Sequence, residues 1–160
     1  MNTTHKLYFV LLLFVGWVVT HGKRCPCDRP TTYCHRFEIY GIHVSHLFFF
    51  MFLGYSFPTH FYTLQIAGIV WELIEYALER NEWFVTTFLG GCLSESRPSI
   101  PFSKYLVVAN EKKYVNPLDA AVNRWLHVEN STLHVWHFQV SVLFVNLLGF
   151  AIGKWIHLKL

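Results

Sequence analysis

The chain has 160 residues, of which 53% are hydrophobic, 18% aromatic and 14% charged, a composition that fits a single membrane domain and excludes an ordinary soluble one. Its net charge of +3 is scattered without a basic block or face, which excludes a nucleic-acid module. Four cysteines, Cys25, Cys27, Cys34 and Cys92, lack the paired spacing of a zinc ribbon, so disulfides in an oxidising compartment are their expected use.

Residues 1–22 place His5 and Lys6 ahead of an apolar core of about 13 residues. That length falls inside the 7–15 of a signal-peptide core and short of the ~20 needed to span. The segment is either a signal peptide cleaved after Gly22 or an uncleaved first anchor. Residues 23–160 then form a single membrane domain. Its opening stretch, 23–40, contains Cys25-Pro26-Cys27-Asp28-Arg29-Pro30, and the two prolines make it a loop outside the bilayer.

A second hydrophobic stretch is expected over 42–57, opening Gly41-Ile42-His43-Val44-Ser45-His46 and closed by a turn at Pro58-Thr59-His60. A third, over 61–78, runs antiparallel to it because the connection is short. Its polar residues Gln65, Gly68, Glu72, Glu75 and Glu79 step by 3, 4, 3 and 4, which is one face of an α-helix. Glu72 and Glu75 demand an explanation, because an ionisable group at the centre of a membrane helix costs about 2.5–3.5 kcal/mol on insertion scales. They are expected to face the bundle interior.

Residues 83–93 are apolar but too short to cross, and 79–132 reads as a long extramembrane loop with one short amphipathic helix near 118–126. The last segment, 133–156, is about 24 residues, long enough to span with tilt. Gln139, Asn146, Gly149 and Gly153 would share one of its faces, and Gly149-x-x-x-Gly153 lets another helix backbone approach closely. The fold class is therefore all-α, a polytopic helical bundle of three to four hydrophobic segments.

Two orientation signals conflict. Lys23, Arg24, Arg29 and Arg36 would hold the first loop in the cytoplasm. A cleaved signal peptide, the cysteines and the glycosylation sequon Asn130-Ser131-Thr132 place the same side in the lumen. The lumenal reading is adopted, with the endoplasmic reticulum or another secretory-pathway membrane as the expected location.

Antiparallel packing brings His46, at the start of one helix, to the depth of Glu72 and Glu75, near the end of the next. Asn146 would approach from the last helix. One His, two carboxylates and an amide suit a hard divalent cation rather than zinc. Such an ion would polarise a phosphate ester while His46 served as base or nucleophile. The contrasting reading is structural: the glutamates snorkel to water or pair with Arg80 or Arg124, and Asn146 bonds across helices.

Ser45-His46, Trp71-Glu72-Leu73-Ile74-Glu75 and Asn146-Leu147-Leu148-Gly149 resemble the catalytic segment of the base-exchange phosphatidylserine synthases, over about 60 residues. In that family a His opens one membrane helix and Trp-Glu-Leu-x-Glu follows about 25 residues later; here His46 precedes Glu72 by 26. The resemblance implies exchange of phospholipid head groups for serine, with calcium as cofactor. It carries the catalytic His onto His46 and the metal ligands onto Glu72, Glu75 and Asn146. Ser141 stands where the family has an Asp, and Trp136 or His137 replaces another, which should weaken calcium binding. The order Cys25-Pro26-Cys27, Ser45-His46, Trp71 to Glu75 is also similar to a bacterial membrane-protein family with no activity to transfer. The expected function is phospholipid head-group exchange assisted by a divalent cation, with membrane lipid and serine as partners. The alternative is a non-enzymatic membrane protein, structural or a subunit of a larger complex.

Overall fold

The computed structural model describes residues 3–23, 38–39, 41–89, 116–126 and 138–160. Cys25, Cys27, Cys34 and Cys92, the Asn130 sequon and most of the loop over 79–132 lie outside the described residues. The architecture is helical: α1 (Thr3–Lys23), α2 (Val44–Ser56), α3 (Phe61–Glu79), the single turn α4 (Glu82–Phe84) running into a π-helical turn (Val85–Leu89), α5 (Pro117–Trp125) and α6 (Ser141–Lys159). A small antiparallel hairpin, β1 (Glu38–Ile39) and β2 (Ile42–His43), leads directly into α2. Gly41 takes φ 71° in its turn, a left-handed conformation that costs glycine nothing.

Four helices form the bundle, and their contacts fix its directions. On α2 and α6 the partners advance together: His46 meets Asn146, Gly54 faces Phe150, and Tyr55 meets His157 edge to face. These two helices are therefore parallel. α3 is antiparallel to both, since Gly68 lies against Asn146 while Glu72, further along α3, reaches back to Gln139. α1 follows α3: Leu7 joins Phe50, Leu53, Phe57, Leu64 and Phe150 in one buried cluster, and Val18 joins Val85 near Trp71 and Leu78 in another.

The glycines set the closest packing. A Cβ on Gly153 would overlap the Met51 carbonyl oxygen, one on Gly54 would overlap that of Phe150, and one on Gly149 would stand 2.5 Å from that of Leu47. The small residues expected to receive another helix thus receive α2 of the same chain. Such close approach gains van der Waals contact along both backbones.

α3 shows the expected division of faces. Leu64, Gly68, Glu72 and Glu75 are buried, whereas Tyr62, Ile66, Ile69, Val70, Leu73 and Ile74 are exposed. At its end the Arg80 guanidinium lies 4.7 Å from the centre of the Tyr76 ring, so Arg80 stacks on an aromatic face.

Two expectations are shown in part. Among the described residues, two helices are by themselves long and apolar enough to cross a bilayer, Thr3–Thr20 and Ser141–Lys159. α2 falls short because residues 42–43 are extended, which leaves 13 helical residues, about 20 Å at 1.5 Å each. α3 has 19 residues but carries Glu72, Glu75 and Glu79. Of the final segment expected over 133–156, residues 133–137 lie outside the described residues, and the helix in the described part begins at Ser141 and runs to Lys159. Gln139 lies ahead of it rather than on its Asn146 face.

Candidate functional site

The directions of the bundle bring the end of α3 and the beginnings of α2 and α6 together, and the hairpin and α5 cover that end. α5 is built for its place. Asn116 is its N-cap, with extended backbone and a side-chain oxygen 2.9 Å from the Asp119 N–H that donates to it; Pro117 occupies the first turn. Both choices are those a helix start favours. Its buried residues are polar, Asn116, Asp119 and Asn123, while Leu118 and Trp125 are exposed. The helix turns its polar stripe inward and leaves Leu118, Arg124 and Trp125 outward.

Asp119, 1% exposed, organises the entry to α6. The Ser141 N–H donates to its Oδ1 at 2.8 Å and the Ser141 hydroxyl to its Oδ2 at 2.6 Å. Asn116 Nδ2 also contacts that Oδ2, and donates to the Gly41 carbonyl at 3.1 Å. Gln139 Nε2 reaches the same carbonyl at 3.3 Å. The hairpin, α5 and α6 are thereby joined through one network. Glu72, 2% exposed, accepts from the Gln139 N–H at 3.0 Å. Two carboxylates thus receive N–H groups at the start of α6, where the helix leaves donors unsatisfied and its dipole favours negative charge.

His46 and Asn146 form the second part. His46 Nδ1 lies 3.3 Å from Asn146 Oδ1. An amide oxygen only accepts, so the contact requires the proton on Nδ1 and leaves a lone pair on Nε2. The pair borders a cavity of about 120 Å³ whose other walls are apolar, among them Leu11 and Phe14 of α1, Phe49 of α2, and Leu64, Ala67 and Trp71 of α3. A side chain at Gly68 would press on Asn146 Nδ2 at 2.9 Å and on the Phe50 ring at 3.2 Å.

The residues singled out from sequence are therefore in two sub-sites. His46 and Asn146 are in contact and line the cavity. Glu72 joins the network at the start of α6, and Glu75 Oε1 accepts from Trp71 Nε1 at 3.0 Å. Among the described residues, no three His, Cys, Asp or Glu side chains are grouped as metal ligands. Asp119 went unrecognised in the sequence although its helix was expected. The available signal was Asn116-Pro117-Leu118-Asp119 followed by Asn123, whose polar residues step by 3 and 4 as on α3.

No family model, curated protein or solved structure matches this chain.

Proposed function

We propose that the protein exchanges phospholipid head groups at the end of a four-helix membrane bundle. In this reading α2 and α3 cross together with α1 and α6. The observation that carries it is the His46–Asn146 pair on the wall of an otherwise apolar cavity between four helices. A cavity of about 120 Å³ has room for the reacting head-group atoms beside that polar pair, while the acyl chains would stay in the bilayer.

His46 Nε2 would take the proton from the hydroxyl of serine or a similar alcohol as its oxygen attacks phosphorus. The bond from phosphorus to the departing head-group oxygen breaks, and the proton passes from His46 to that oxygen. Asn146 holds the ring in the required tautomer throughout. A divalent cation, calcium by the motif resemblance, would neutralise the acids and polarise the phosphate. Glu72, with Glu75 and Asn146, is the set that the resemblance implies for it. The carboxylate and amide oxygens of this set are the hard donors that such a cation takes.

The structural alternative has its own observation: Glu72 and Asp119 bond to the segment that begins α6, so both acids serve the fold. Proteoliposomes separate the readings. Purified protein should incorporate labelled serine into phospholipid, with release of one free head-group alcohol per serine and dependence on calcium. Failure to exchange serine, ethanolamine or choline under any of these conditions would leave only the structural role.

A further inference from the structure

Charge that is scattered along the sequence is sorted by the fold. The end of the bundle away from the hairpin and α5 is built from the start of α1, the turn between α2 and α3, and the last turns of α6. Leu7 shares a buried cluster with Phe57 there, and Tyr55 meets His157. This end carries Lys6, Lys154 and Lys159, all exposed, together with His5, His60 and His157. Among the described residues it holds no acid: every described Asp or Glu belongs to the hairpin, to α5, or to the stretch of α3 and α4 after Trp71. The opposite end mixes those acids with Arg80 and Arg124.

The aromatic residues mark a depth at the same end. Tyr8, Tyr55, Tyr62 and Trp155 are exposed there, and Tyr and Trp are the side chains that settle at the level of lipid head groups. Lys154 stands level with the last turn of α2, since the Tyr55 N–H and the Met51 carbonyl border the adjacent Gly153. From that depth a lysine extends its stem along apolar surface and places its ammonium among the head groups. The ammonium has three donors and no acceptor, so a phosphate oxygen suits it.

We propose that this end of the bundle is a docking surface for anionic phospholipid head groups, held by Lys6, Lys154 and Lys159. A leaflet matches lysines spread over two helices and interleaved with exposed Tyr and Trp, and the missing acids leave nothing to repel its negative charge. Anionic lipid is concentrated in the cytoplasmic leaflet. The terminal end therefore faces the cytoplasm, and the hairpin, α5 and the start of α2 face the lumen, which decides between the two orientation signals of the sequence. The inference rests on the four helices crossing together, as the exchange reading has them, and not on the chemistry of His46.

Quenching of Trp155 by brominated lipid in phosphatidylcholine nanodiscs, taken as the difference between the full chain and its Trp155→Phe variant, tests the surface. At equal share, brominated phosphatidylglycerol should associate about fivefold more strongly than brominated phosphatidylcholine, the gain that one lysine makes at an anionic surface. Raised salt should shrink that preference. Lys154→Gln combined with Lys159→Gln should abolish it with an unchanged helical circular dichroism spectrum, because both side chains are exposed; Arg124→Gln, at the other end, should keep it. Equal quenching by the two lipids, or a preference that survives the double substitution, would overturn the surface. Displacement of the lipid by soluble glycerol phosphate would assign a free-phosphate site instead and overturn it equally. The two proposals fail separately: serine exchange without a lipid preference removes the surface and keeps the activity, whereas a preference without exchange does the reverse.

Discussion

Asn146 performs two tasks with one amide. Its oxygen fixes the His46 tautomer, and its nitrogen end packs on Gly68, where no larger residue fits without moving it. If His46 is a base, replacing Asn146 by Leu should lower the rate of head-group exchange by ~10- to 100-fold, in the range that lost orienting partners cost. A purely structural Asn would change thermal stability and leave the rate per folded molecule alone. Asp119 makes the opposite prediction. Its carboxylate accepts from both the Ser141 N–H and hydroxyl in a buried setting, so Asp119→Ala should destabilise the protein by about 3 kcal/mol, the cost of removing charged hydrogen bonds and stranding their donors. Unfolding in detergent, followed by circular dichroism, measures it. A loss under about 0.5 kcal/mol, the size of an ordinary surface substitution, would mean that the network does not hold α6.

Among elements, the α2–α6 contact is the tightest. Gly153→Leu would drive a side chain into the Met51 carbonyl and Tyr55 N–H, and should cost about 1–3 kcal/mol, as overpacking does. Gly16→Ala on α1 meets nothing within 4 Å and should be neutral or slightly stabilising, because Ala is the better helix former. Equal effects of the two in thermal unfolding would contradict close α2–α6 packing. Much of this element structure was legible in the sequence. The 3-4 stepping of polar residues found the buried face of α3, and Gly149-x-x-x-Gly153 found a close-packing face. What the spacing could not identify was the partner, because a glycine pair states only that some backbone comes near. The start of α6 at Ser141 is not legible for a related reason. An apolar run continues across residues 133–140 whether or not they are helical, and the acids that bind the N–H groups of Gln139 and Ser141 are 67 and 22 residues away. Asp119 was hidden by its surroundings: within a loop, an acid reads as solvated until the inward turn of α5 is known.

At the scale of the molecule, the exchange reading requires α1, α2, α3 and α6 to cross together, and that has a consequence for topology. Four crossings return the chain to its starting side, so both termini should share one face of the membrane, with the hairpin and α5 at the other. Leu7 lies wholly within the cluster of Phe50, Leu64 and Phe150, so α1 should be retained in the mature protein rather than cleaved after Gly22. Epitope tags at the two ends and protease protection in sealed microsomes check the first; intact mass checks the second. Termini on opposite faces, or a mature chain beginning at Lys23, would dismantle the bundle. The functional claim is tested most directly by one rate: labelled serine incorporated into phospholipid by proteoliposomes containing either wild type or His46→Ala at equal folded amounts. The expected result is calcium-dependent incorporation by the wild type that falls by about 100-fold or more in the variant, the usual contribution of a general base. Equal rates in the two would contradict the assignment of His46 and, with it, a catalytic role for the cavity.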